Sequence, residues 1–140
     1  MSLEQNIQTV RSLYDYFNQK DMAGLMSIVS DDFVLNDIAL GMTWRGKQGW
    51  GEWLGIWAVS LPDAQVHVDS VTGQGNFVVA EHTGGGTQTG PLNTPSGVIP
   101  PTGKQINLSF AEFFEMRDGK IAVMRAYWDT GTLMRQLGVA

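Results

Sequence analysis

The feature that most constrains this chain is a change of hydrophobic period at Pro62-Asp63. Before that point apolar residues recur every three or four positions; after it they alternate. Leu3, Ile7, Val10, Leu13 or Tyr14 and Phe17 give Ser2 to Gln19 one apolar helical face. Ser2 and Gln5 have the spacing of a capping box, in which the glutamine side chain returns to the cap amide. Asp21 restarts the chain as the cap of a short second helix with Leu25, Ile28 and Val29 inward, and Ser30-Asp31-Asp32 is expected to break it. Phe33 to Ile38 alternates like a short strand, Gly41 to Gly46 reads as a loop, and Lys47 to Leu61 reads as a third helix.

Beyond the switch, Ala64 to Thr72 and Phe77 to Thr83 read as strands joined by a hairpin turn at Gly73-Gln74-Gly75-Asn76, because Gly and Asn tolerate positive φ. Gly84 to Gly103, rich in Gly, Pro and Thr, reads as one long loop, a kind that is often functional or mobile. Lys104 to Met116 and Lys120 to Asp129 are two further strands around a turn at Arg117-Asp118-Gly119, and Thr132 to Gly138 is a closing helical turn. Helices segregated from such strands make an α+β layered fold. The expectation is a cone-shaped, strongly curved antiparallel sheet wrapped around the N-terminal helices. A length of 140 residues leaves room for one domain.

Composition narrows the partners. The net charge is −5 and the nine basic residues are scattered, which argues against nucleic acid. There is no cysteine, so disulfides, thiol nucleophiles and zinc–thiolate sites are excluded. No apolar run approaches the ~18 residues of a membrane span. The first residues are polar and lack a basic-then-apolar leader pattern, so the expected location is the cytoplasm. No His-x-Glu or His-x-x-x-His spacing suggests a metal, and Gly84 to Gly90 lacks the Lys and following helix of a phosphate loop. No cofactor is expected.

Three stretches carry a family resemblance. They are FNQKDMAGLMSIVSDDFVLND (Phe17 to Asp37), PPTGKQINLSFAEFFEMRDGKI (Pro100 to Ile121) and MRAYWDTGTLMRQLG (Met124 to Gly138). In this order they resemble the nuclear transport factor 2-like superfamily, of cystatin-like architecture, in its ketosteroid isomerase and SnoaL-like polyketide cyclase group. The resemblance spans nearly the whole chain and implies the curved-sheet fold. That fold hosts isomerases, cyclases, hydrolases, dehydratases and binding modules, so function must be argued from the site.

Two carboxylates stand out. Asp37 shares a strand face with Phe33 and Leu35, and an apolar face disfavours a charged carboxylate. The resemblance places Asp37 where isomerases hold their general base; the bland reading is a carboxylate at a strand end, capping a turn. Glu112 alternates with Phe110, Phe114 and Met116. The resemblance puts it near the protonated acid of the isomerases and the His of the cyclases. The rival reading buries the other face, Ser109, Ala111, Phe113 and Glu115, and puts Glu112 in water.

The resembled families differ from this chain at two further positions. Ala126 stands where the cyclases carry an Asp. An ungapped count puts Leu13, with Tyr14 and Tyr16 nearby, where the isomerases carry a helix Tyr, and a rotation of about 100° per residue means neither neighbour takes that place automatically.

Other residues are candidates for the lining of a ligand cavity. Trp50, Trp53 and Trp57 share one helix face. They are either core or, in the case of Trp53 and Trp57 with Trp128, a wall for a planar, polycyclic or aromatic guest. Tyr14, Phe17, Phe110 and Phe114 complete the candidate lining. His82 shares a strand face with Val78 and Ala80, and is either a cavity hydrogen-bonding group or a structural donor to a loop carbonyl.

The expected function is a cofactor-independent enzyme on a small hydrophobic carbonyl compound. Asp37 would be base and Glu112 acid or oxyanion donor. The alternative is a non-catalytic module that carries an apolar ligand or serves as a dimerisation partner. Open sheets with exposed aromatics need cover, so a homodimer through the sheet is expected.

Overall fold

Ser2 opens the first helix as its spacing with Gln5 implies. Its Oγ accepts from the Gln5 backbone N–H at 3.1 Å, and the Gln5 side chain accepts from the Ser2 N–H at 2.9 Å. The computed structural model describes residues 1–139. Helix α1 spans Leu3–Gln19, and Lys20 ends it in the left-handed region with φ 57°. Asp21 then caps α2, Met22–Ser27, accepting from Gly24 N–H.

The strands are β1 (Val29–Asp37), β2 (Met42–Arg45), β3 (Gln65–Gln74), β4 (Phe77–Thr87), β5 (Leu92–Thr94), β6 (Gly97–Ile99), β7 (Gln105–Arg117) and β8 (Lys120–Tyr127). Helix α3 (Gly46–Ser60) lies between β2 and β3, and α4 (Thr130–Leu137) follows β8. Six strands form one sheet in the order β2-β1-β8-β7-β4-β3, while β5 and β6 make a separate hairpin. The fold is α+β, a curved sheet with helices. Helix α1 packs on β3 and α3 on β1.

Several local expectations are corrected. The sheet is antiparallel except at one seam, where β1 runs parallel to β8. Helix α2 ends at Ser27, before Ser30-Asp31-Asp32, so Val29 and that polar stretch lie inside β1 rather than at the end of the helix. A register shift between Val29 and Val34 bows this polar stretch toward water. Part of the expected Gly41–Gly46 loop is edge strand β2, paired to β1.

Gly84, Gly85 and Gly86 are not a turn but the end of β4. A Cβ on Gly85 would sit 1.7 Å from the Ile106 carbonyl oxygen, so only glycine permits that approach. The rest of the expected long loop is tied down by buried Gln88. Its Nε2 donates to the Gly90 and Pro100 carbonyls, and its Oε1 accepts from the Thr102 backbone N–H and hydroxyl.

Along β7 burial alternates residue by residue: Ile106, Leu108, Phe110, Glu112, Phe114 and Met116 are buried. The buried face of this strand is therefore the one that carries Glu112, not the one with Phe113 and Glu115. Beyond the end of β8, the Gln136 side chain of α4 covers the β7 edge. It donates to the Asn107 carbonyl and accepts from the Asn107 N–H, each at 2.8 Å. No helix among the described residues is long and apolar enough to cross a membrane.

Candidate active site

One row of the sheet sets the site. Asp37 on β1 registers with Ala126 on β8, Ala126 with Glu112 on β7, and Glu112 with Ala80 on β4. Residues directly opposite in a sheet point to the same face, and strands lie ~4.8 Å apart. The backbones of Asp37 and Glu112 are therefore about 10 Å apart with one strand between them. At Ala126, where the resembled cyclases carry an Asp, this chain presents only a methyl group. Both carboxylates are buried, Asp37 to 1% exposure and Glu112 to 2%.

Their surroundings differ. Asp37 is saturated: Oδ2 accepts from Trp53 Nε1 at 3.0 Å, and Oδ1 from the Leu40 N–H at 3.0 Å. Trp128 Nε1 lies 3.1 Å from each oxygen. The strand-end position of Asp37 and the non-polar spacing of Trp53 on α3 bring these groups together. The carboxylate thus caps the turn after β1 and anchors two indoles.

Glu112 has one engaged oxygen. Its Oε1 accepts from the Tyr14 hydroxyl at 2.8 Å and faces His82 Nε2 at 2.9 Å. Its Oε2 takes no hydrogen bond from a described residue. Tyr14 reaches across because α1 lies over the sheet. Burial, and then the Glu112 charge and hydrogen bond, hold the Tyr14 hydroxyl well above its ordinary range, so it stays a donor. The His82 ring stacks on Phe110 at 4.7 Å and tilts against Tyr14 at 4.8 Å.

Glu112 lines an apolar cavity of about 60 Å³ between α1, α3 and the sheet. Tyr14, Phe17, Trp53, Trp57, His82 and Phe110 also line it. Three expected residues are placed otherwise. Asp37 is not part of the wall, since it lies with the indoles that bind it. Phe114 is fully buried core. Trp128 packs edge-on against Trp57 at 5.3 Å and serves Asp37.

Sequence reasoning did not single out Leu54, Leu61, Leu108 and Met124, which are also part of the wall. Inward alternation on β7 and β8 was the available signal for the last two. The cavity is too narrow for a polycyclic guest in this conformation, because even one water needs ~10–15 Å³ on this measure.

Two polar atoms of the wall residues are buried without a partner among the described residues: Trp57 Nε1 and His82 Nδ1. Such an atom costs about 1–3 kcal/mol. Among the described residues no three His, Asp or Glu side chains gather as metal ligands would.

Comparison with known proteins gives one family and a set of folds. The family model for SnoaL-like polyketide cyclases matches residues 7–137. A Jannaschia sp. CCS1 protein that carries a SnoaL-like polyketide cyclase designation is similar in structure. It has TM-score 0.86 and 22% identity, over 98% of this chain and 94% of its own. TsrD from Streptomyces laurentii has TM-score 0.85 and 24% identity, over 100% and 99%. A Catenulispora acidiphila DSM 44928 protein of ketosteroid isomerase-like fold, bound to trimethylamine, has TM-score 0.77 and 17% identity, over 94% and 93%. A search of curated proteins finds no match.

Proposed function

The chain belongs to the SnoaL-like polyketide cyclase family, and from that premise we propose that it is a cofactor-independent enzyme moving protons on a small hydrophobic carbonyl compound. The observation that carries this reading is Glu112: a buried carboxylate in an apolar wall, with Oε1 held by Tyr14 and His82 and Oε2 open. A carboxylate so oriented is suited to act as a general base, because its partners fix it without occupying the second oxygen. The base role thereby passes from Asp37, whose oxygens are already engaged, to Glu112. Asp37 serves instead to hold Trp53 and Trp128. The working protein would be a homodimer joined through the outer sheet face.

In the proposed step the C–H bond beside the carbonyl breaks and its proton goes to Glu112 Oε2. The electron pair moves onto the carbonyl oxygen as an enolate. Return of the proton, to the same or a conjugated carbon, restores the carboxylate. Tyr14 remains a hydrogen-bond donor to Oε1 throughout, since its hydroxyl resists ionisation.

The test is deuterium uptake at the α-carbon of cyclopentanone in D2O, followed by NMR. The wild type should exceed background, and Glu112→Gln should fall by about 10²-fold or more, to background, since general-base catalysis is typically worth that much. Equal rates for the two proteins would remove the mechanism.

A second reading is favoured by the saturation of Asp37: the cavity wall holds one carboxylate, not a pair. The chain would then bind a small apolar molecule without turnover. Ligand binding with no exchange above background in the wild type would select that reading.

A further inference from the structure

The two nitrogens of the His82 ring sit in opposite situations. Nε2 lies 2.9 Å from Glu112 Oε1. Nδ1 is buried and has no partner among the described residues. A neutral imidazole carries one N–H, and its other nitrogen carries a lone pair. With the hydrogen on Nδ1, a buried donor would lack an acceptor, a rare state in folded proteins. The Nε2 lone pair would then also face a carboxylate oxygen that already accepts from Tyr14. With the hydrogen on Nε2, the ring donates to that oxygen and only a lone pair is left unpaired.

We infer that His82 is fixed as the Nε2–H tautomer and is a positioning residue for the base: it donates to Glu112 Oε1 and leaves Oε2 as the free oxygen. This rests on Glu112 as the base and adds what holds that base in one orientation. The last side-chain torsion of a glutamate is broad, so one donor confines the carboxylate poorly. Here two donors from two elements, Tyr14 on α1 and His82 on β4, converge on one oxygen.

The sheet supplies the placement. Ala80 is directly opposite Glu112, and His82 lies two residues further along β4 on the same face. Phe110, directly opposite His82, stacks on its ring at 4.7 Å with an interplanar angle of 6°. Tyr14 covers the ring at 4.8 Å, so its plane is held from α1 and from β7. A histidine that relays protons needs a partner on its far side. Nδ1 has none among the described residues, so His82 acts through Glu112 alone.

The experiment uses the full chain labelled with 15N in its two histidines. The signals missing in His82→Gln are those of His82. In the wild type they should show one bound hydrogen, on Nε2, and a bare Nδ1. In the cyclopentanone exchange assay, His82→Leu should lower kcat by about 10²-fold, the scale of a misplaced catalytic group, with a smaller change in KM. His82→Gln, whose amide N–H can take the place of Nε2–H, should recover most of that loss. Thermal midpoints of the two variants separate positioning from folding: the rates should differ while the midpoints agree.

A hydrogen on Nδ1, or on both nitrogens, overturns the inference. So does wild-type kcat in His82→Leu, or a His82→Gln protein as slow as His82→Leu at the same midpoint. If His82→Leu does not fold, the tautomer read in the wild type and the rate of His82→Gln still decide. A wild type with the Nε2–H signal but no exchange above background would sink the base assignment and leave His82 as the fixed donor to Glu112.

Discussion

The Tyr14 hydroxyl, buried under α1 and bonded to Glu112, is held above the ordinary tyrosine range, first by loss of hydration and then by the neighbouring carboxylate. The folded chain therefore keeps this proton more tightly than the unfolded chain, whose tyrosines ionise near ~10. Its contribution to stability is complete below that value. It is lost as pH climbs from there through the folded value, because the unfolded state releases its proton first.

Urea unfolding at pH 9 and pH 11 tests this. The wild type should lose more stability over the interval than Tyr14→Phe, which should itself be about 1–3 kcal/mol less stable at neutral pH. Parallel losses in the two proteins would contradict the linkage.

At this scale the sequence marked Glu112 as a candidate, because it alternates with Phe110, Phe114 and Met116, and the structure buries that face. The sequence hid the engagement of Asp37, whose indole donors come from α3 and from beyond β8. No local pattern joins residues 37, 53 and 128. Tyr14 was legible only as a lining residue, since an ungapped count put Leu13 at the key place. Whether the hydroxyl reaches β7 depends on how α1 rolls on the sheet.

The starts of α1 and α2 were legible because capping chemistry is local, whereas α2 ends at Ser27, short of Ile28 and Val29, and α4 starts at Thr130, two residues before Thr132. Ser2 with Gln5 and Asp21 with Gly24 each declare a start. The glycine stretch misled for a physical reason. Consecutive glycines usually mark a turn through their freedom in φ, yet Gly84, Gly85 and Gly86 have ordinary strand geometry and are needed for their lack of Cβ. Gly85 backs onto Ile106, and Gly84 onto Val66.

Gly85→Ala should therefore destabilise the fold by about 3 kcal/mol or more, as overpacking against backbone does. Gly75→Ala is the informative contrast. Nothing crowds its Cβ position, and only its φ of 60° is strained, so its loss should be nearer ~1 kcal/mol. Denaturant midpoints of the two variants give the comparison. A Gly85→Ala protein as stable as Gly75→Ala would show that β4 and β7 can separate at that point without cost.

Seen as a whole, the sheet has one face sealed by α1 and α3 and one face left open. The open face carries Phe113 in contact with Phe77 and with Tyr127, at 5.8 and 5.3 Å between ring centres. The Arg125 guanidinium lies over Phe77 and Phe113 while pairing with Glu115. Alternation on β7 separates two faces in the sequence without saying which is buried; packing of α1 and α3 on the Glu112 side decides it. The homodimer through this face was expected from the general need of an open aromatic sheet for cover, since periodicity carries no mark of a second chain.

A half-exposed aromatic face with its own charge pair is self-complementary under a two-fold axis: aromatic meets aromatic, and Arg125 can meet the partner's carboxylate. The homodimer proposed above should thus be broken by Phe113→Asp, which puts a charge at the centre of that face and leaves the cavity side of β7 unchanged. Sedimentation equilibrium at micromolar concentration should give twice the chain mass for the wild type and the single chain mass for the variant. A monomeric wild type would rule out this face as a stable contact. A dimeric Phe113→Asp protein would move the contact elsewhere, since the variant loses the central ring and must desolvate a carboxylate in any contact through that face, even beside Arg125.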